Sequence, residues 1–227
     1  MKVSAIVVAS LAASLATGGA ALAEPECPAS SPRVEAKLHD PEPTLDLGTG
    51  MDVLRAEANA PRGAALRHLG ATTSRVEWQS EIEARIASAD GRVCARPERI
   101  SLNFHHAEFG VRIARELPRG SCLFRETEAH ERRHVAVNRD TFRRAAADAE
   151  AAVRRWAASA TGRGATEQSA MAALREDLRR AIAPAFEAMQ AAREAAHRGI
   201  DRPEEYERLG QVCPDEQKAL GERLRGR

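Results

Sequence analysis

The chain of 227 residues has few aromatic side chains, almost no net charge and, beyond its N-terminal segment, no long apolar run. Aromatic residues make up only 4% of it, while Ala and Arg are abundant, so we expect a core built from packed alanine-rich helices. The formal net charge of +1 argues against nucleic acid or an anionic membrane as a partner. No later stretch is apolar enough to cross a bilayer.

The first 23 residues have the pattern of a secretory signal peptide. Lys2 precedes an uncharged apolar run from Val3 to Ala16, and Ala21-Leu22-Ala23 forms a small-x-small cleavage pattern. Cleavage near Ala23 leaves Cys27 too far from the new N-terminus for lipid attachment. We therefore expect a periplasmic or secreted protein without a membrane anchor.

Cysteine is also scarce, and its spacing is informative. The four cysteines are Cys27, Cys94, Cys122 and Cys213. None forms a Cys-x-x-Cys pair, which argues against a four-cysteine zinc site. In an oxidising compartment an even count predicts two disulfides, and three pairings are open.

The remaining chain divides into an extended, partly ordered arm over residues 24–72 and a domain over residues 73–227. Apolar residues alternate along three segments of that domain, which predicts an antiparallel meander of three or more strands. These segments are residues 76–86, 100–106 and 109–113. Asp90-Gly91 marks a turn between the first two.

The second half of the domain is helical in pattern. Ser121 can cap a long helix that continues to Ala160, and Gly162 and Gly164 interrupt the pattern. A second run carries an apolar stripe with a proline inside it, and shorter helices follow Asp201. The stripe consists of Met171, Leu174, Leu178, Ile182, Phe186 and Met189. The predicted fold is α+β and zincin-like: a small antiparallel sheet, a long metal-binding helix and an antiparallel helical partner.

The residues that point to chemistry are His130, Glu131 and His134. Two histidines four positions apart on a helix lie one turn above each other and can bind one metal ion, for which zinc is suited. The adjacent glutamate can act as general base on a water at the open coordination position. The alternatives are a structural zinc site and a solvated, charge-rich helix without metal.

A catalytic zinc needs a third protein ligand, and two candidates remain, His197 and Asp201. Asp140 lies about 280° around the helix from His130 and points away. A return helix of equal length about a turn near Gly162 comes level with His134 near residue 190, and His197 shares the stripe that faces the first helix. Glu194, Glu204 and Glu205 are also nearby in sequence. His197 is equally well explained as a helix-terminal histidine, and Asp201 as a helix N-cap with Glu204.

Three further polar residues have supporting interpretations. Asn138 lies on the ligand face one turn beyond His134, where we expect it to hydrogen-bond a ligand. Tyr206 can stabilise an oxyanion but is better explained by packing. His105 and His106 face opposite sides of a strand, and His106 continues the buried series, so we expect it in the core or beside a ligand.

Together these motifs resemble a family of predicted secreted zinc-dependent proteases of Proteobacteria. The resemblance covers roughly Thr73 to Cys213 and includes the strands before Leu117-Pro118, Cys122 ahead of the helix, and the His130-Glu131/His134 motif. It implies that these three residues form the zinc site and that Asp201 belongs to a downstream element. That element differs here, because Glu204 and Tyr206 stand where the family has threonine and histidine.

We therefore predict a zinc metallohydrolase, a metalloendopeptidase acting on a peptide or protein substrate and monomeric. The alternative is a periplasmic, non-catalytic helical binding or chaperone-like protein.

Overall fold

The computed structural model describes residues 26–58 and 68–225. The predicted signal peptide and residues 59–67 of the predicted arm lie outside these ranges. Five strands and five helices occur in the described residues. They are β1 (Arg33–His39), β2 (Thr44–Asp46), α1 (Met51–Glu57), β3 (Gly70–Ala89), β4 (Arg92–Ile113), α2 (Cys122–Ala157), β5 (Gly162–Gly164), α3 (Glu167–Ile200), α4 (Pro203–Gln211) and α5 (Pro214–Arg225). The predicted α+β class is confirmed.

The sheet is centred on β4, and it is not the antiparallel meander that the alternation predicted. β3 pairs antiparallel with β4 along its length, whereas β1 and β2 pair parallel with β4 at residues 99–105 and 110–112. The short β5 pairs antiparallel with residues 93–95. The prediction failed because the arm contributes the parallel strands through backbone hydrogen bonds, which leave no period in its sequence. Within the described residues, β3 pairs only with β4 and so forms an edge of the sheet.

The two predicted strands at residues 100–106 and 109–113 form one strand, β4. Their alternation is out of phase, and the register with β3 shifts between Arg75 and Val76 at this point. The shift leaves Ala107 without a partner, as in a β-bulge, and returns the following residues to the same face. Phe104 and Val111 are therefore both buried. The predicted Asp90-Gly91 turn is confirmed, with both residues at positive φ.

Helices α2 and α3 form an antiparallel pair that packs on the sheet. The hydroxyl of Ser121 accepts a hydrogen bond from the backbone N–H of Phe124, which confirms the predicted cap. Small side chains such as Ala145 and Ala149 are buried in the main core and allow close approach of α2 to its neighbours. The predicted stripe supplies four buried residues on α3, which are Leu174, Leu178, Ile182 and Met189.

Two disulfides link distant parts of the chain, as the even cysteine count predicted. Cys27 pairs with Cys94 and ties the arm to β4, while Cys122 pairs with Cys213 and ties the start of α2 to the residue before α5. This covalent pattern is consistent with a secreted or periplasmic protein. Among the described helices, none combines the length and apolarity needed to cross a bilayer.

Candidate metal centre

Helix α2 presents His130 and His134 on one face, one turn apart. Both rings are buried, at 6% and 8% exposure, and their Nε2 atoms lie 3.2 Å from each other. Residues four apart lie about 100° × 4 around the axis, a little over one full turn, so this convergence follows from helix geometry. Two imidazole nitrogens are thus directed at the same point.

Asp201 completes a group of three donor atoms at the C-terminus of α3. Its Oδ1 atom lies 3.2 Å from Nε2 of His130 and 3.2 Å from Nε2 of His134. The helix ends here, since the backbone N–H of Asp201 makes the last bond to the carbonyl of His197. The N-cap of α4 is Arg202, so Asp201 is not the predicted cap of that helix. The three residues form a group that can hold a metal ion.

The spacing of these donors fits a small divalent cation with tetrahedral preference. Ligand atoms at 2.0–2.1 Å on a tetrahedral zinc are about 3.3–3.4 Å apart. All three separations in the group are 3.2 Å. The fit requires that the Nε2 atoms of both histidines are unprotonated. For His134, the hydrogen bond at the other ring nitrogen, Nδ1, determines which nitrogen carries the proton.

His197 lies behind His134 and not among the converging donors. Its Nδ1 atom is 2.8 Å from Nδ1 of His134, and its Nε2 atom is 3.2 Å from Oδ1 of Asn138. If Nε2–H of His197 donates to the amide oxygen, Nδ1 of His197 accepts from Nδ1–H of His134. That arrangement leaves Nε2 of His134 free as a metal ligand. The sequence predicted that Asn138 hydrogen-bonds a ligand, whereas its side chain contacts His197, which in turn contacts the donor His134.

The two helices meet further along α3 than equal lengths predicted. His134 contacts His197 rather than residue 190, although the connection from Ala157 to Glu167 is centred on residue 162, so the ends of the two helices at this connection do not lie level. The shift of seven residues brings His197 to His134 and Asp201 to both ligand histidines.

Two acidic side chains, Asp201 and Glu205, lie close to the ring of His130. Nδ1 of His130 lies 3.5 Å from Oε1 of Glu205 and 2.9 Å from Nη2 of Arg133, and these two partners also pair with each other. Burial disfavours the charged form of His130, but the hydrogen bond to Asp201 and the nearby glutamates outweigh it and raise its pKa. In the metal-free protein, where the Nε2–H groups can donate to it, burial of Asp201 raises its pKa, but the hydrogen bonds from His130 and His134 outweigh that effect and lower the pKa.

Glu131 lies beside the three donors with its carboxylate buried. The side chain is 5% exposed, and its Oε2 atom accepts a hydrogen bond of 2.8 Å from the hydroxyl of Thr72 on β3. Burial raises the pKa of Glu131, against the opposing effect of that hydrogen bond. A carboxylate with a raised pKa is suited to accept a proton near neutral pH.

Two residues that position Glu131 were missed by the sequence interpretation. Thr72 donates to its carboxylate, and Gly70 lies so close that an added Cβ would be 2.7 Å from Oε1 and 2.8 Å from Cγ of Glu131. Both precede the alternating segment and fall in the predicted arm. No pattern in the sequence distinguishes them, since their contact depends on β3 passing along α2.

A cavity of about 420 Å³ opens beside the donor group. The site residues line one part of it, and apolar side chains line another, including Leu69, Leu123 and Leu209. Tyr206 also lines it, and its hydroxyl donates to Oδ1 of Asp201 at 3.1 Å. The phenol is therefore at the site, where it orients the carboxylate.

The other sequence candidates lie outside the donor group. His106 is stacked on Phe109 at 4.2 Å and meets the edge of Phe142 at 4.6 Å, so it belongs to the core. His105 faces the opposite side, 3.8 Å from Glu77. The remaining three acidic candidates, Asp140, Glu194 and Glu204, are exposed.

Comparisons of this chain with protein-family models, with curated proteins and with solved structures found no match. The function of this chain is therefore inferred from the geometry of the site.

Proposed function

We propose that this protein is a secreted or periplasmic zinc-dependent metalloprotease of zincin-like fold. The observation that carries the proposal is the convergence of Nε2 of His130, Nε2 of His134 and Oδ1 of Asp201 within 3.2 Å of one another, beside a buried glutamate. The long β3–β4 hairpin next to α2 supports the zincin-like assignment, as does the resemblance in the motif.

His130, His134 and Asp201 would hold the ion, with Asp201 preferred over His197 as third ligand. Zinc with two imidazole ligands and one carboxylate supplies a Lewis acid that polarises a carbonyl and acidifies water. His197 and Asn138 hold the ring of His134 in the tautomer that the ligand role needs.

Glu131 is the proton carrier in this proposal. Its raised pKa allows the carboxylate to take a proton from the attacking water and to return it to the departing amine of a peptide. Thr72 holds Oε2, so the other oxygen, Oε1, is free of that bond. The apolar side of the cavity gives room for substrate side chains.

The test is zinc content and casein hydrolysis of the purified mature protein, compared with Glu131→Gln. Gln keeps the shape but cannot accept the proton, so we expect one zinc per chain and loss of at least about 100-fold in activity. Glu128→Gln is the matched control, because Glu128 lies on the same helix and pairs with Arg132 outside the site.

Hydrolysis that resists chelation, or that survives Glu131→Gln, would refute the proposal. A non-catalytic helical binding protein would suppress aggregation of a client protein equally with and without chelator. That result, together with no hydrolysis, would favour the alternative.

A further inference from the structure

A second cavity of about 370 Å³ lies next to the first, and the two share Thr72 and His197 in their walls. Its other lining residues are Ser74, Asn138, Gln190, Arg193 and Glu194. Gly70 and Thr72 line the first cavity, and Thr72 and Ser74 line the second. Alternate residues of a strand share one face, so this face of β3 connects the two cavities.

The unusual group in the second cavity is Arg193. Its side chain is only 6% exposed, and no carboxylate in residues 26–58 and 68–225 forms an ion pair with it. Nε donates to the hydroxyl of Thr141 at 2.9 Å and Nη2 donates to the backbone carbonyl of Asn138 at 2.8 Å. Both partners are neutral, and Nη1 makes no hydrogen bond within those same residues.

Burying a guanidinium without a counter-charge is costly, and the structure bears signs of that cost. Burial lowers the pKa of Arg193 to about 10. Glu194 lines the cavity too, but it is exposed and pairs with Arg198. An anion in this cavity would therefore meet an uncompensated cation.

We propose that Arg193 binds a carboxylate of the substrate in the second cavity, about two to four residues along the peptide from the scissile bond. A planar guanidinium with a free nitrogen and neighbouring hydroxyl and amide groups suits a carboxylate. This inference rests on the proposed peptidase function, which it deepens by giving the substrate class.

The spacing of residues along α2 and α3 supports this separation between the scissile bond and Arg193. Arg193 lies eight residues before Asp201 on α3, about 12 Å along the axis. Asn138, whose backbone carbonyl accepts from Arg193, lies four residues after His134 and eight after His130 on α2, about 6 and 12 Å along the axis. Extended peptides advance about 3.3–3.6 Å per residue. A peptide that follows β3 from the donor group thus reaches Arg193 after about two to four residues, with either its C-terminal carboxylate or an acidic side chain.

Binding to zinc-loaded Glu131→Gln protein, in which turnover is blocked, tests the inference by calorimetry. The probes are N-acetyl-Ala-Ala-Ala as free acid, its C-terminal amide, and N-acetyl-Ala-Ala-Glu amide. We expect the free acid to bind about 10–100-fold more tightly than the alanine amide. If the glutamate amide binds as tightly as the free acid, the site accepts either carboxylate, whereas tighter binding of the glutamate amide assigns the bound carboxylate to a side chain.

Adding Arg193→Met to the Glu131→Gln protein should abolish the preference for probes with a carboxylate, because the substitution removes the charge and keeps most of the side-chain volume. Arg180→Met removes an exposed charge from the same helix, where Arg180 pairs with Asp177 outside the cavity, and should leave the preference unchanged. If Arg193→Met does not fold, Arg193→Lys keeps a cation without the planar fork and should reduce the preference.

Equal binding of all three probes to the otherwise unaltered protein would overturn the inference without any Arg193 variant. So would a carboxylate preference that survives Arg193→Met. Casein hydrolysis without a carboxylate preference would leave the protease proposal standing and remove this one. A carboxylate preference without hydrolysis would leave the carboxylate site at Arg193 standing and remove the protease proposal.

Discussion

Replacing Gly70 by alanine should separate metal binding from catalysis at this site. The added Cβ would lie 2.7 Å from Oε1 of Glu131, about 0.7 Å closer than an ordinary van der Waals contact. It would also lie 2.8 Å from Cγ2 of Thr127, so the strand cannot relieve the contact by a small shift along α2. The carboxylate of Glu131 must therefore move away from its position beside the donor group.

The expected loss follows from that displacement. A misplacement of about 1 Å in a catalytic group can cost about 100-fold in rate, so we expect kcat/KM on a peptide substrate to fall by roughly 10–100-fold. Overpacking should also lower the free energy of unfolding by about 1–3 kcal/mol. Zinc stoichiometry should stay at one per chain, because the three atoms nearest the added Cβ belong to Glu131 and Thr127 and not to a ligand.

The measurements are steady-state kinetics, elemental analysis and urea denaturation of the same preparations. Gly210→Ala is the matched control, because its Cβ would meet nothing within 4 Å on an exposed helix. It should leave kcat/KM and zinc content unchanged and raise the free energy of unfolding by at most about 1 kcal/mol through helix propensity. Full activity in Gly70→Ala would refute the idea that Glu131 needs this position. Loss of zinc together with activity would show that Glu131 and the ligands are not separable.

Three further outcomes are expected. His197→Gln should weaken zinc binding by about 10–100-fold, and Asp201→Ala should weaken it more. Competition with a chromogenic chelator measures both affinities, and the opposite order would make His197 the ligand. Burial lowers the pKa of His106 to about 4, so the folded state favours its neutral form. The free energy of unfolding should therefore decline by up to about 3 kcal/mol as the pH falls from about 6.5 towards 4. Urea titrations of His106→Phe should show a flatter dependence on pH. Replacing Cys122 and Cys213 by serine opens a loop with a sequence separation of 91 and should cost about 4 kcal/mol in denaturant unfolding, whereas an unchanged midpoint would show that the bond adds no stability.

Features governed by short-range geometry were predictable from the sequence. His130 and His134 share a helix face at any position in any fold, because four residues make about one turn. The Asp90-Gly91 turn and the Ser121 cap likewise depend on a few neighbouring atoms. The even cysteine count predicted two disulfides, although not their pairing.

Features that join distant segments were decided by the tertiary structure alone. The parallel strands of the arm arise from backbone pairing with β4, which any side chains permit. The positions of Asp201 and His197 beside His134 depend on how far α3 is displaced along α2, which the lengths of the helices and of their connection do not determine. Gly70, Thr72 and Arg193 gain their significance from α2 and its neighbours, because a contact or an unpaired charge exists only once the chain has packed.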